Sequence, residues 1–223
     1  MKYIKKSKKE PQVLTEAKAG GGNYDSLRKT TIQEDLLEEQ GYLCAYCMGR
    51  ISSELNKHYE PKIGVEHFLS QEKHPNKSLN YSNMLGVCNG KSGEHLHCDK
   101  TVGGKVEGII ELRQLNPLDK NCEKLLKYTL NGTIQSIDEN EDVEYDLDIN
   151  LNLNNEKLKE NRKDAFDKAW AQFKKTYKNK ENWTKKTFQA EIDKLKQTNS
   201  EGKYKEYCQC LIYLFEKKKK GGI

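Results

Sequence analysis

Four cysteines in the middle of the chain have the residue type and spacing of a metal site. Cys44 and Cys47 are separated by two residues, a spacing that lets two thiolates bind one ion from a single turn. Cys88 and Cys98, with nine residues between them, are the best candidates for the pair that would complete a tetrahedron. The sequence therefore predicts a structural zinc site.

Other interpretations of these cysteines stay open. They could be buried free thiols, or a redox-active pair, although a thioredoxin-like pair needs a strand–helix–strand setting that the neighbouring residues lack. His95 or His97 could replace Cys98 as the fourth ligand. No partner at ligand spacing is present for the three remaining cysteines, Cys122, Cys208 and Cys210.

A carboxylate and an imidazole lie in sequence between the two cysteine pairs. Glu66 and His67 follow the short run 63–65, which predicts a strand, and neighbouring side chains on a strand point to opposite faces. An imidazole titrates near neutral pH and suits a general base, whereas a carboxylate oxygen suits a hard divalent cation. An ordinary histidine is the commoner case, and only the position between the cysteine pairs favours a catalytic role.

Composition excludes several classes of protein. The chain has 223 residues, of which 33% are charged and 35% hydrophobic, and its mean hydropathy is −0.97. The longest apolar run, residues 210–215, is too short to cross a bilayer. The first nine residues lack the apolar core of a secretory signal, so we expect a cytoplasmic protein whose cysteines stay reduced.

Charge is unevenly distributed along the chain. Residues 1–30 carry eight Lys and Arg against three Asp and Glu, and residues 156–196 carry thirteen bases against seven acids. Such patches suit phosphate groups, but they are also typical of solvated helix faces. Residues 134–150 hold seven acids and no base. That segment is expected to be a surface loop facing away from nucleic acid, or a contact for a basic partner.

The local patterns divide the chain into four regions. We expect a basic N-terminal arm at 1–30, a zinc-containing core at 31–107, an extended segment with a hairpin and acidic residues at 108–155, and a helical region at 156–223. Pro11 and the glycines at 20–22 interrupt any helical period in the arm. Thr31 and Glu34 have capping-box spacing, with Thr31 as the N-cap and Glu34 at N3, which predicts a helix that follows Thr31 and is ended by Gly41.

The second half of the chain changes from an extended to a helical pattern. Residues 109–137 look extended, and Asn131-Gly132 predicts a two-residue hairpin turn. From Leu158 onward three apolar faces recur at helical spacing, and we expect their aromatic residues to form a core. These faces contain Phe166, Ala169, Trp170, Phe173 and Tyr177; Phe188, Ile192 and Leu195; and Tyr204, Tyr207, Cys208, Leu211, Leu214 and Phe215.

The order of these chemical groups resembles that of the HNH endonucleases. The resemblance is closer to one branch, the PtuB family of Septu anti-phage systems, which also occurs with some retrons. It covers about residues 1–165 and is strongest at 36–100, with matching segments at 39–48, 65–68, 87–90, 97–99 and 116–119 and further similarity at 1–6 and 151–154. The wider HNH group is matched at Cys44 and Cys47, 66–67, 83–88 and 98–100. It implies an α+β fold with a ββα-metal core stabilised by zinc.

The resemblance also implies a role for each site residue. His67 would be the general base, and Glu66 and Asp99 would bind a catalytic Mg²⁺ or Mn²⁺ ion. Asn83 would orient His67 or brace its loop. Two lysines close to this motif are expected to contact nucleic acid, Lys91 and Lys100.

One position of the motif has several candidates. In the family, the third catalytic position often follows the second cysteine pair closely, and here the nine-residue insertion blurs the register. Asp99 is preferred because it follows His97-Cys98, as in the PtuB branch. Three other residues compete for that position, Asn89, His95 and His97.

The resemblance further implies a hetero-oligomer with PtuA, an ABC/SMC-like ATPase, that cleaves invader DNA. Any nucleotide dependence would come from that partner, because the chain has no phosphate-binding P-loop motif. Two alternatives stay open, an RNase that cuts tRNA or other host RNA, and a non-catalytic zinc module that bridges nucleic acid and the ATPase. Whether the N-terminal arm contacts the partner or phosphate groups also stays open.

Overall fold

The structure, a computed structural model, describes residues 1–55, 61–92, 95–103 and 111–221. It is a mixed arrangement of helices and small two-stranded sheets. The helices are α1 (Gln12–Ala19), α2 (Thr30–Glu39), α3 (Asp99–Gly103), α4 (Glu141–Tyr145), α5 (Glu156–Thr176), α6 (Lys185–Leu195) and α7 (Cys208–Lys219). The strands are β1 (Gly64–His67), β2 (Met84–Val87), β3 (Lys91–Ser92), β4 (His95–Leu96), β5 (Leu126–Tyr128) and β6 (Ile134–Ser136).

Each sheet is a pair of antiparallel strands. The first pairs β1 with β2, with Glu66 opposite Leu85 and His67 opposite Met84. The second pairs β3 with β4, and the third pairs β5 with β6. Strand β2 is buried throughout, so the β1–β2 pair lies against the core. The strand predicted at the Glu66-His67 pair is confirmed.

The N-terminal segment is packed onto the protein and does not form an irregular arm. It contains α1, and Met1, Ile4 and Leu14 are almost completely buried. The Lys6 ammonium donates to Glu39 and to the Met84 carbonyl at the start of β2. The apolar residues of this segment are scattered among lysines, so the local sequence does not predict that they are buried. Their burial depends on contacts with remote parts of the chain.

Helix α2 begins two residues earlier than the capping box predicts. Lys29 occupies the N-cap position without a side-chain hydrogen bond, so Thr31 does not cap the helix. The predicted end is confirmed, since the helix stops at Glu39 and Gly41 follows with φ of +56°. A Cβ at that position would also collide with the ring of Tyr204.

The predicted hairpin forms between β5 and β6, but its loop is longer than two residues. Thr129 and Thr133 still pair through a backbone hydrogen bond, which leaves residues 130–132 as a three-residue loop. Gly132 has φ of +85° and lies against the backbone of Lys159 on α5. Apart from β5 and β6, the described part of the segment 109–137 contains no strand. The prediction that the whole segment is extended therefore covers too many residues.

The acidic segment 134–150 is structured and does not form a loop. It contains β6, α4 and a further helical turn at Asp146–Asn150. Asp146 is fully buried, and its carboxylate accepts hydrogen bonds from three consecutive backbone N–H groups at residues 113–115 and from Asn150. One of the seven acids is therefore a structural anchor.

The C-terminal helices share an aromatic core, as predicted. The ring of Phe173 packs on those of Trp170, Phe188 and Phe215, with centroids 4.8–5.6 Å apart. In the described residues, no helix has the length and apolar character needed to cross a membrane. The division into four regions stays a prediction.

Candidate metal centre and catalytic site

The four cysteines converge on one point. The Sγ atoms of Cys44, Cys47, Cys88 and Cys98 all lie within 4.8 Å of one another. The Cys44–Cys98 sulfur pair is separated by 3.9 Å and the Cys47–Cys88 pair by 3.8 Å. A tetrahedral zinc ion with Zn–S bonds of about 2.3 Å needs sulfur atoms about 3.8 Å apart. The donor set and its spacing therefore fit a metal such as zinc.

Backbone hydrogen bonds explain how distant residues hold these sulfurs. The Cys44 N–H donates to the Gly49 carbonyl, and the Ala45 N–H donates to Gly86 on β2, which ties the first cysteine pair to the strand that leads to Cys88. The Cys98 N–H donates to the Leu151 carbonyl. The second half of the chain thus fixes the fourth ligand.

The contacts within the cluster favour a thiolate at Cys44 and protonated thiols at Cys88 and Cys98. Burial opposes ionisation of Cys44, but hydrogen bonds from Cys47, Cys88 and Cys98 hold its pKa well below the usual thiol value. The pKa of Cys98 is raised by burial, and that of Cys88 by its contact with Cys44. A bound divalent cation would replace the thiol protons.

One ring nitrogen of His97 faces the sulfur cluster. Its Nδ1 atom lies 3.2 Å from the Cys98 sulfur and 3.9 Å from the Cys88 sulfur. Burial lowers its pKa, which favours the neutral ring. This position suits a residue that supports the thiolate cluster, because all four sulfurs are already present.

Glu66 and Asp99 are brought together from β1 and the first turn of α3. Burial, followed by a hydrogen bond to Asp99, raises the pKa of Glu66 to about 9. The nearby ammonium of Lys100, 3.6 Å from the Asp99 carboxylate, acts in the opposite direction. Two half-buried carboxyl groups in contact share a proton unless a cation joins them. The pair is a chemically suitable site for a hard divalent ion.

His67 lies in different surroundings from its neighbour Glu66, as strand alternation predicts. Only 7% of the residue is exposed. Its Nε2 atom is 2.8 Å from the Ser78 carbonyl oxygen, and its ring stands edge-on to Tyr24 with centroids 4.5 Å apart. Burial lowers its pKa, the Ser78 carbonyl and Asp25 raise it, and Lys29 lowers it. The net shift is downward, so the imidazole is neutral at pH 7.

Asn83 braces the loop that carries Ser78. Its side-chain oxygen accepts a hydrogen bond from the Leu69 N–H at 2.8 Å, and its amide donates to the Leu69 carbonyl at 2.9 Å and to Lys77 at 3.4 Å. Only 5% of Asn83 is exposed. Of the two roles expected for Asn83, orienting His67 or bracing its loop, these hydrogen bonds fit the second, because none of them is made to His67.

The other predicted residues are more peripheral. Asn89 is exposed, as are Lys91 and Lys100. The side chain of His95 lies outside the described part of the chain. Of the candidates for the third catalytic position whose side chains are described, Asp99 is the one in contact with Glu66.

Sequence reasoning missed two residues beside His67, Tyr24 and Lys29. Tyr24 is 5% exposed, and the Lys29 ammonium lies 4.5 Å from its ring centroid. Both come from the segment predicted to be an arm. No motif points to them, because they reach His67 only through tertiary packing.

Comparison with known proteins gives one informative similarity. No family model matches the chain. A curated relative from Bacillus thuringiensis, Septu protein PtuB, is 36% identical over 107 residues. The matched stretch covers 47% of this chain but only 36% of the relative's own length.

Proposed function

The similarity to Septu protein PtuB supports the PtuB family for this chain, and from that premise we propose that it is a metal-dependent HNH endonuclease acting in anti-phage defence. Its substrate is invader DNA, and its reaction is phosphodiester hydrolysis. The proposal is carried by the contact between the carboxyl groups of Glu66 and Asp99. The residue after Glu66 is His67, whose hydrogen bond to the Ser78 carbonyl defines its tautomer.

The arrangement around the sulfur cluster supports an HNH core. Strands β1 and β2 pair antiparallel, Cys88 follows β2 directly, and Cys98 immediately precedes α3. A metal bound by the four sulfurs would therefore tie the strand pair to the helix that begins with Asp99. Its role is to hold Asp99 against Glu66.

The tautomer of His67 follows from its partner. A carbonyl oxygen can only accept a hydrogen bond, so Nε2 donates its proton to Ser78. In the neutral ring the lone pair is then on Nδ1, and this is the atom that would remove a proton from the attacking water. The lowered pKa keeps that lone pair available at pH 7.

Glu66 and Asp99 would hold the catalytic divalent ion. When bound, such an ion would neutralise charge on the phosphate and on the leaving oxygen. The carboxyl pair supplies hard oxygen ligands, and the adjacent Lys100 adds positive charge at the edge of the site. Asn83 acts indirectly, since its hydrogen bonds hold the loop that carries the Ser78 carbonyl.

The test is cleavage of plasmid DNA by the zinc-loaded protein, alone and with its co-expressed ATPase, in the presence of Mg²⁺. We expect His67→Ala and Asp99→Asn to abolish cleavage while zinc content stays unchanged. Asp138→Asn, at an exposed position, is the matched control and should cleave normally. Equal cleavage by wild type and His67→Ala would refute the role of His67.

The partner and compartment belong to the same proposal. We expect a cytoplasmic hetero-oligomer with the PtuA-type ATPase, detectable by co-purification. Sequencing of RNA ends in infected cells tests the alternative substrate, because an RNase would leave new ends in tRNA or other host RNA. A zinc module without catalysis would give phage protection that His67→Ala does not reduce.

A further inference from the structure

The lysine beside His67 has no anionic partner in the described part of the chain. The Lys29 ammonium lies 4.5 Å from the centroid of the Tyr24 ring. Within residues 1–55, 61–92, 95–103 and 111–221 it forms no ion pair, whereas Lys6 is paired with Glu39 and Lys18 with Glu10. A ring face attracts a cation but leaves its three N–H donors free for an anion.

Tyr24 connects this lysine to the candidate catalytic residues. Its ring contacts the imidazole of His67 edge-on, at 4.5 Å and an interplanar angle of 89°. Glu66 is also close enough to act electrostatically on the Tyr24 hydroxyl, and Lys29 on His67. The buried ring of Tyr24 therefore contacts both the ammonium of Lys29 and the imidazole of His67.

We propose that Lys29 is a substrate-binding residue that contacts a phosphate group of the nucleic acid, held beside His67 by the ring of Tyr24. The inference rests on the proposed nuclease function and extends its site to the N-terminal segment. The ligand chemistry is a phosphodiester, which DNA and RNA share. Asp25 acts electrostatically on His67, and it does not form an ion pair with Lys29 in the described residues.

The first measurement is equilibrium binding without Mg²⁺, so that it does not depend on cleavage. Fluorescent DNA and RNA duplexes of equal length are titrated with zinc-loaded wild type, Lys29→Gln and Lys29→Arg over a range of salt concentrations. For the duplex that is the substrate, Lys29→Gln should weaken binding and reduce the slope of log K against log salt by about 1. Lys29→Arg should retain the slope, because it keeps the charge.

A matched control separates a specific contact from general loss of charge. Lys157 on α5 is exposed and lies 3.3 Å from Glu160, so Lys157→Gln makes the same charge change elsewhere. Zinc content and melting temperature show that each variant is folded. The proposal is overturned if Lys29→Gln and Lys157→Gln behave alike, if Lys29→Arg binds as weakly as Lys29→Gln, or if the wild type binds neither duplex.

Cleavage kinetics then distinguish this inference from the proposed function. With Mg²⁺, Lys29→Gln should raise KM more than it lowers kcat, because the contact forms when the substrate binds. Lys29-dependent binding without any Mg²⁺-dependent cleavage would refute the nuclease and leave the phosphate contact standing. His67-dependent cleavage with an unchanged KM in Lys29→Gln would refute the contact alone.

Discussion

Replacement of Asn83 by alanine tests how the loop beside His67 is held. The substitution removes two short hydrogen bonds, from the Leu69 N–H and to the Leu69 carbonyl, and a longer one to Lys77. In the described residues neither Leu69 group has another backbone partner, whereas the Lys77 carbonyl also accepts from Asn80. The loss therefore counts as two hydrogen bonds.

A buried hydrogen bond contributes about 1 kcal/mol, so Asn83→Ala should lower the free energy of unfolding by about 2 kcal/mol. Urea unfolding of the zinc-loaded protein, followed by circular dichroism, measures this difference. Asn89→Ala is the control, since Asn89 is exposed, and it should stay within about 0.5 kcal/mol of wild type.

The same substitution should also reduce catalysis at temperatures where the variant is folded. The loop carries the Ser78 carbonyl that fixes the tautomer of His67, so a loosened loop leaves Nδ1 protonated for part of the time. We expect kcat to fall at least about tenfold, which is part of the roughly 10²–10⁴-fold that general-base catalysis contributes. An Asn83→Ala protein as stable as wild type, or one no less stable than Asn89→Ala, would refute the reasoning.

Three further changes test other parts of the fold. Removal of the metal with a chelator should lower the melting temperature and release about one zinc per chain, measured by mass spectrometry, because four buried thiols then lose their common partner. Gly132→Ala should destabilise the protein more than Gly202→Ala in urea unfolding, since both glycines have positive φ but only at Gly132 would the new methyl overlap the Lys159 backbone; equal losses would contradict this. Asp146→Asn should lower the free energy of unfolding by about 2–3 kcal/mol, because its amide would face backbone N–H donors, whereas exposed Asp138→Asn should change it little.

Local features of the sequence were sufficient for part of this structure. The spacing of Cys44 and Cys47 predicts a metal-binding turn because both ligands come from one short piece of backbone. Apolar residues at helical spacing predict the C-terminal helices, because residues three and four positions apart share one face of a helix. This information, too, lies within a short piece of backbone. The strand at Glu66-His67 and the end of α2 at Gly41 are likewise decided within a few residues.

Weak local patterns failed where remote contacts decide burial. Met1 and Leu14 are isolated among charged residues, so nothing nearby predicts that they are buried. Asp146 has an ordinary position in an acidic segment, and only the backbone of residues 113–115 makes it a buried anchor. In each case the partner lies more than thirty residues away or comes from another element.

The amino-acid sequence alone determined which groups are available for chemistry: four thiols, and an adjacent carboxylate and imidazole. It also contains the stretch of 107 residues that is similar to Septu protein PtuB. Only the tertiary structure decided which of them meet. Asp99 contacts Glu66, and Lys29 lies beside His67, because the strand pair, the sulfur cluster and the N-terminal segment pack together. Local spacing specifies how residues on one element are arranged, whereas contacts between elements depend on how the whole chain buries its apolar surface.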